Sequence, residues 1–243
     1  MIITSEYESK SEAVKKTADN HLKKSAGKIK IIDLNDGTFK KSEIDEKLLQ
    51  SAKLVSQAFK EEKITNLMYD LSRPENLRTW RRLNEYSGEK LHQAGEKIIL
   101  AEADGKVAGA AYLRNSDTGS LFMLVRIYLP GIIKLSFSLI KALNLRRIFK
   151  SGKLFKTDKI PVDNYYNLEV IGVGKEYQGQ GIARLLLEEA DNFAKKTKDC
   201  QGIYLYTAGE NTRDIYKHLG YQLIDQKENA DLTVYHMFKM KIF

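Results

Sequence analysis

The sequence is poor in the residues that build disulfide frameworks, cysteine clusters or membrane spans. Cys200 is the only cysteine among 243 residues, which excludes an intramolecular disulfide and a cysteine metal cluster and favours a reducing, cytoplasmic setting. No histidine lies at ligand spacing to another, so no metal site is predicted. The most apolar stretch, Leu121 to Phe149, is interrupted by Arg126, Pro130 and Lys134 and falls short of the ~18 apolar residues of a membrane span. The first ten residues also lack the basic flank and apolar core of a secretory signal.

Charge and composition describe a basic, globular chain. Forty Lys and Arg residues against 32 Asp and Glu residues give a net charge of +8, which favours anionic partners without choosing among them. Arg146 to Lys156 mixes basic and aromatic residues, but a solvated face explains this pattern better than a nucleic-acid site, so nucleic acid is an unlikely partner. Residues 1–28 form a polar, lysine-rich extension, and residues 29–243 are predicted to form one domain.

Periodicity gives an order of elements typical of a mixed α/β fold. A first strand precedes two helices, the first with Ser42 as a candidate cap. A hairpin follows, Lys97 to Ala103 and Val107 to Leu113, joined by Asp104-Gly105. After an insertion at about 121–160, predicted to be helical, come a strand, a glycine-rich turn, a helix, a strand, a short helix and two strands.

The glycine-rich turn, "EYQGQGIARLLLEEADNFAKK" from Glu176 to Lys196, runs directly into a helix. A helix start has unpaired N–H groups and the positive end of the helix dipole, and together these favour a phosphate group. Glycine at Gly179 and Gly181 lets that group approach the backbone closely. The alternative is that both glycines only allow a tight strand-to-helix connection. Neither the P-loop pattern nor the complete dinucleotide-binding pattern fits, since Arg184 stands where the latter needs a third glycine.

These residues resemble a known family. "QGQGIA", Gln178 to Ala183, matches the [QR]-x-x-G-x-[GA] acetyl-CoA signature of the GNAT family of N-acetyltransferases, and "ENTRDIYKHLGYQLID" is similar to the family's second signature. One departure is Lys175, where the family often has proline, which removes no chemical group. The resemblance covers residues 29–243 and implies a mixed, mostly antiparallel central sheet flanked by helices, with acetyl-CoA as cosubstrate.

The resemblance also implies roles for particular residues. Tyr216 would be the general acid for the leaving thiolate, although on its own it would be assigned to packing. The strand before the turn would pair with the pantetheine arm through Ile171 and Val173, and the turn would hold the diphosphate. The residues implied to bind the cofactor are Ile171, Gly172, Val173, Gln178, Gly179, Gln180, Gly181, Ile182, Ala183, Arg184 and Asn211.

Glu169 is the candidate base that frees the amine for attack. Strand alternation puts it on the face of Ile171 and Val173. Burying a carboxylate there costs free energy unless it has a partner or a function. A solvent-facing or ion-paired Glu explains it equally well, and a water chain could serve instead. The predicted function is transfer of acetyl to a small-molecule or peptide amine, with a homodimer left open. The alternative is a non-catalytic module of the same fold that binds a CoA ligand, a membrane surface or nucleic acid.

Overall fold

A computed structural model describes residues 29–116 and 141–241. The predicted extension, residues 1–28, and residues 121–140 of the predicted insertion lie outside these ranges. The described strands are β1 (Ile29–Asp33), β2 (Lys97–Ala103), β3 (Lys106–Asn115), β4 (Tyr166–Val173), β5 (Gly202–Thr207), β6 (Gln222–Glu228) and β7 (Thr233–Met240). The described helices are α1 (Lys41–Ala58), α2 (Lys63–Met68), α3 (Pro74–Gln93), α4 (Leu145–Ser151), α5 (Ile182–Lys196) and α6 (Glu210–His218).

The seven strands form one sheet in the order β1-β2-β3-β4-β5-β7-β6. All neighbours are antiparallel except β4 and β5, which are parallel. The predicted hairpin is β2–β3, with Asp104 at a φ of 51° and Gly105 at 76°, the left-handed values that a tight two-residue turn requires. The predicted mixed, mostly antiparallel α/β fold is therefore confirmed.

Helices cover both faces of the sheet because the central strands are apolar on both sides. In β2, Ile98 and Leu100 pack with α1 and α3, and the alternate residues Ile99 and Ala101 pack with α5. All four side chains are fully buried. This double burial makes the strand a continuous apolar run and holds the two helical layers in place.

The first two predicted helices are present as α1 and α3, with different ends. Ser42 is not the cap of α1, because the helix already begins at Lys41 after Lys40 as N-cap. The Glu43 carboxylate accepts the Lys40 backbone N–H at 2.8 Å and so satisfies one donor at the helix start. Helix α2 was not predicted, since its six residues are too few to show helical periodicity.

The described part of the predicted insertion contains α4 and a 3-10 turn at Gly152–Phe155. Two buried polar groups fasten this segment to the sheet. The Lys159 ammonium donates to the Asp225 carboxylate at 2.7 Å, and His236 Nε2 donates to the Leu154 carbonyl at 2.8 Å. None of the described helices is long and apolar enough to cross a membrane.

Candidate functional site

The site begins where β4 and β5 separate. They pair only at Tyr166–Ile203 and Asn167–Tyr204, and the remaining residues of the two strands diverge. Within the described residues, the backbone of β4 beyond Asn167 has no strand partner on that side. Its N–H and C=O groups on that side therefore suit an extended, amide-containing ligand.

A bulge in β4 changes the predicted position of Glu169. The β3–β4 register passes from Tyr112–Val170 to Leu113–Leu168, so Glu169 is the extra residue opposite β3. The alternation that put Glu169 on the face of Ile171 and Val173 is therefore wrong at this point. Leu168 and Ile171, three positions apart, pack on the α5 face, whereas Glu169 bonds to Arg114.

The Glu169 carboxylate is ion-paired. Its Oε1 lies 2.8 Å from Arg114 Nε and 2.6 Å from Arg114 Nη2. The Arg114 side chain is 15% exposed and that of Glu169 33% exposed. The ion-paired alternative from the sequence is thus present, with Arg114 as the partner, while Glu169 still lines a cavity.

The glycine-rich turn has the conformation that its sequence requires. Gly179 and Gly181 both have a φ of 76°, which disfavours residues with a Cβ atom, and Gly181 is the N-cap of α5. Ile182 is buried in the core, so only its backbone can face a ligand. Gly109 on β3 allows this packing, because a Cβ atom there would lie 2.8 Å from Ile182 Cγ2.

A groove of about 480 Å³ runs between β4, α5 and α6. Five of the predicted cofactor residues line it: Ile171, Gly172, Val173, Ala183 and Arg184. The other residues of the turn, from Gln178 to Ile182, adjoin it at the start of α5. The Gln178 amide donates to the Val173 carbonyl at 3.4 Å, which closes the turn over the strand end.

A second, mostly apolar cavity of about 280 Å³ lies between the separated strands and the helices α1 to α3. Its walls include the aromatic rings of Phe59, Tyr69, Trp80 and Tyr206. Ile171, Thr212 and Tyr216 line both this cavity and the groove. The two spaces therefore meet at these three residues.

Tyr216 is buried at this junction, only 8% exposed. Its ring packs edge-on against that of Tyr221, with centroids 5.5 Å apart. Burial, together with the negative charge of Glu62, raises the pKa of Tyr216 above its ordinary value. The phenol thus stays protonated at neutral pH and can donate a hydrogen bond.

A third, polar cavity of about 670 Å³ lies beside the apolar one. It shares Glu62, Ala208 and Thr212 with the apolar cavity, and its other acidic residues are Glu61, Glu210 and Asp231. Asn211 lines this polar cavity and not the groove. Thr212 lines both spaces and so lies between Asn211 and the predicted cofactor residues of the groove.

Sequence analysis missed the wall formed by α1 to α3. Glu62, Tyr69 and Trp80 belong to no motif, and only the tertiary fold brings them to β4. The described residues of the predicted insertion, 141–160, line none of the three cavities. Within the described ranges, no group of three or more His, Cys, Asp or Glu residues could hold a metal ion.

Comparisons with known proteins agree with this geometry. The profile of the acetyltransferase (GNAT) family matches residues 65–221, whereas no curated protein matches the sequence. A Corynebacterium glutamicum protein described as "histone acetyltransferase HPA2 and related acetyltransferase" is 15% identical, over 89% of this chain and 98% of its own, with a TM-score of 0.59. PH1933 from Pyrococcus horikoshii OT3 is 15% identical, over 88% and 99%, with a TM-score of 0.51. At these identities the two structures show a shared fold.

Proposed function

The chain belongs to the GNAT family of acetyltransferases, and from this premise we propose that it transfers the acetyl group of acetyl-CoA to a primary amine. The observation that carries the proposal is the junction at Ile171, Thr212 and Tyr216. A thioester lying along the free edge of β4 would have its diphosphate at the glycine-rich turn and its acetyl group at this junction. The amine would then approach from the apolar cavity.

The residues present fit such a cofactor. Glycine at Gly179 and Gly181 leaves room for a diphosphate against the N–H groups of Gly179 to Ala183, where the α5 dipole favours negative charge. The Gln178 N–H, also predicted to bind the cofactor, already donates to the Lys175 carbonyl at 3.4 Å. Ile171 and Val173 would pair with the pantetheine amides through their backbone, and the Arg184 side chain lines the same groove. Asn211 is proposed to contact the arm from the polar-cavity side, beyond Thr212.

The reaction is a direct displacement. The neutral amine attacks the thioester carbonyl carbon, the C–N bond forms and the C–S bond breaks, and the electron pair leaves on sulfur. The nitrogen loses its extra proton, which water carries to the thiolate, so the products are the N-acetyl amine and the free thiol. The Tyr216 hydroxyl would donate its hydrogen bond to that sulfur. An ordinary tyrosine is already a weaker acid than a thiol, and burial raises the pKa of Tyr216 further. Tyr216 would therefore stabilise the thiolate through this hydrogen bond and keep its proton.

Glu169 is the proposed base, and its pairing with Arg114 defines how it would act. The pair keeps the carboxylate in place at the cavity wall, and Glu169 would accept the ammonium proton directly or through a water molecule. Glu62 also lines the cavity and lies near enough to Tyr216 to affect its pKa, so it is the alternative acceptor. Within the described residues, Glu62 has no ion-pair partner.

Thiol release from acetyl-CoA over a panel of primary amines tests the proposal. The expected result is amine-dependent thiol release with one N-acetyl product for each thiol, identified by mass spectrometry. Heat-denatured protein and coenzyme A without an acetyl group are the controls. Saturable binding of acetyl-CoA without thiol release for any amine would favour a non-catalytic module.

A further inference from the structure

Building on the proposed function, we infer that the acceptor is a primary amine with a single positive charge and an apolar body of about the size of an aromatic ring. The observation is the composition of the apolar cavity beyond Tyr216. The chemistry of its walls restricts both the shape and the charge of a molecule that can deliver an amine to the junction.

Aromatic rings dominate the wall opposite β4. The Tyr69 and Trp80 rings pack with centroids 4.7 Å apart at an interplanar angle of 48°, and Phe59 and Met68 lie on the same side of the cavity. Burial raises the pKa of Tyr69 to about 12, so its phenol is neutral at physiological pH. Such a wall binds flat, apolar groups by stacking and by burial of apolar surface.

Two polar side chains of the lining, Asn84 and Glu169, already have partners within the protein. The Asn84 amide donates to the Trp80 carbonyl at 2.8 Å, and the Glu169 carboxylate is bonded to Arg114. Glu62 is the remaining carboxylate of the apolar cavity, and it stands at the boundary with the polar cavity. One ammonium group can thus be balanced by Glu62, while a second charge carried into the aromatic part would be buried without a partner.

Size agrees with this class of acceptor. A cavity of about 280 Å³ accommodates a small molecule and is below the usual range for drug-sized ligands, roughly 300–1,000 Å³. Long polycationic acceptors such as spermidine would have to leave most of their charges in the polar cavity or desolvate them against Tyr69 and Trp80.

Trp80 makes the test direct, because it is the only tryptophan in the sequence and lines the cavity. Its emission, excited selectively over that of tyrosine, reports on occupancy of the cavity whether or not turnover occurs. Three amines serve as probes. Phenethylamine has one positive charge and an aromatic ring, methylamine has one positive charge and no apolar group beyond a methyl, and spermidine has several positive charges. Each is titrated against the full chain and assayed for thiol release with acetyl-CoA.

Phenethylamine should change the Trp80 emission saturably. Its kcat/KM should be at least about 100-fold above that of spermidine, because removing additional ammonium groups from water costs free energy. Trp80→Ala should lower kcat/KM for phenethylamine by about tenfold or more, and should lower kcat/KM for methylamine much less because methylamine has no apolar group to contact the ring. Methylamine turnover also shows that the variant is folded and active.

The outcomes separate this inference from the proposed function. Preference for spermidine over phenethylamine would overturn the inference and leave the acetyltransferase proposal in place. Saturable binding of phenethylamine with no acetylation of any amine would show that the cavity binds an aromatic amine as a ligand, and it would contradict both the proposed function and the role of this amine as acceptor. Equal losses for phenethylamine and methylamine in Trp80→Ala would overturn the role of the aromatic wall.

Discussion

At the scale of single residues, Tyr216 both packs in the core and reaches the proposed reaction site. Its ring is part of the core on the α5 face, and its side chain also lines the groove and the apolar cavity. The two interpretations that the sequence allowed for Tyr216 are thus compatible. A substitution that keeps the ring and removes only the hydroxyl separates them.

Tyr216→Phe should lower kcat by at least about tenfold, which is less than the 10²- to 10⁴-fold typical of full general-acid catalysis because Tyr216 contributes a hydrogen bond that water can partly replace. The dissociation constant of acetyl-CoA should change little, because the hydrogen bond forms only as the thiolate leaves. Tyr221→Phe is the matched control, since its hydroxyl is also buried but has no hydrogen-bond partner among the described residues. An unchanged kcat in Tyr216→Phe, with chemistry rate-limiting, would leave Tyr216 a packing residue.

Glu169→Gln should reduce activity most at low pH, where the amine is mostly protonated and a base matters most. The same variant leaves the Arg114 guanidinium without its partner, so a thermal melt must show that the protein is still folded. Glu62→Gln, assayed over the same pH range, is the comparison. If only Glu62→Gln produces the loss at low pH, the base is Glu62 and the assignment of Glu169 is wrong.

At the scale of elements, the structure shows which features were predictable from local sequence. The β2–β3 hairpin, α5 and the glycine-rich turn depend on residues close together in the chain, and the sequence predicted them. The separation of β4 from β5 and the bulge at Glu169 depend on pairing between distant strands, which periodicity does not encode. The aromatic wall escaped prediction for the same reason, because α1 to α3 reach β4 only through tertiary packing.

The start of α5 gives a test at this scale. At a concentration about 100 times its dissociation constant, acetyl-CoA should stabilise the native protein by about 2.7 kcal/mol. For a domain of this size, that is a rise in Tm of roughly 5–10 °C. Gly181→Asp should remove most of this rise, because its carboxylate would repel the diphosphate, while Asp tolerates the positive φ.

Gly95→Asp is the matched control for Gly181→Asp. Gly95 has a φ of 77° and open space around its Cβ position, and it precedes the end of β2 that lies away from the groove. The two variants should lose similar stability without ligand, yet only Gly95→Asp should keep the full rise in Tm with acetyl-CoA. A full rise in Gly181→Asp would contradict the diphosphate site.

The contact between β7 and the 3-10 turn predicts a pH-dependent stability. His236 is fully buried, its Nε2 donates to the Leu154 carbonyl, and the Tyr204 hydroxyl donates to its Nδ1 at 2.6 Å. Burial lowers the pKa of His236, so the unfolded state takes up a proton near pH 6.5 and the folded state only at lower pH. The free energy of unfolding should therefore fall as the pH drops from 7 to 5.

Chemical denaturation at both pH values measures this effect. His236→Gln should be less stable at pH 7 and should lose less stability between pH 7 and 5 than the parent protein. His218→Gln changes an exposed histidine and should keep the parent's dependence. An unchanged dependence in His236→Gln would show that another group is responsible.

At the scale of the whole molecule, charge is distributed unevenly. The chain carries a net charge of +8, yet four carboxylates line the polar cavity, those of Glu61, Glu62, Glu210 and Asp231. Among the described residues, Lys63 is the one basic side chain of the lining, and Lys150 pairs with Asp231. A cationic amine would thus approach an acidic surface at the polar cavity, while the α5 dipole favours an anionic cofactor at the turn. This separation favours delivery of the two substrates to opposite sides of the junction.

The basic α4 raises the question of whether the molecule binds membranes. Phe149 is 83% exposed and Leu145 43% exposed, next to the exposed side chains of Arg146 and Arg147. Each basic residue near an anionic surface contributes about 1 kcal/mol, so these two arginines supply about 2 kcal/mol, far less than stable anchoring requires. The Lys150 ammonium adds little, since it already pairs with Asp231 at 3.3 Å.

The purified protein should accordingly stay in the supernatant when it is sedimented with phosphatidylserine-containing liposomes at physiological salt. Weak binding at low ionic strength is expected from the net charge alone and should disappear as salt is added. The double variant Arg146→Glu/Arg147→Glu should behave like the parent protein at physiological salt. Robust co-sedimentation of the parent that this variant abolishes would instead make α4 a membrane-binding element, and a membrane-associated amine would then be the first acceptor to test.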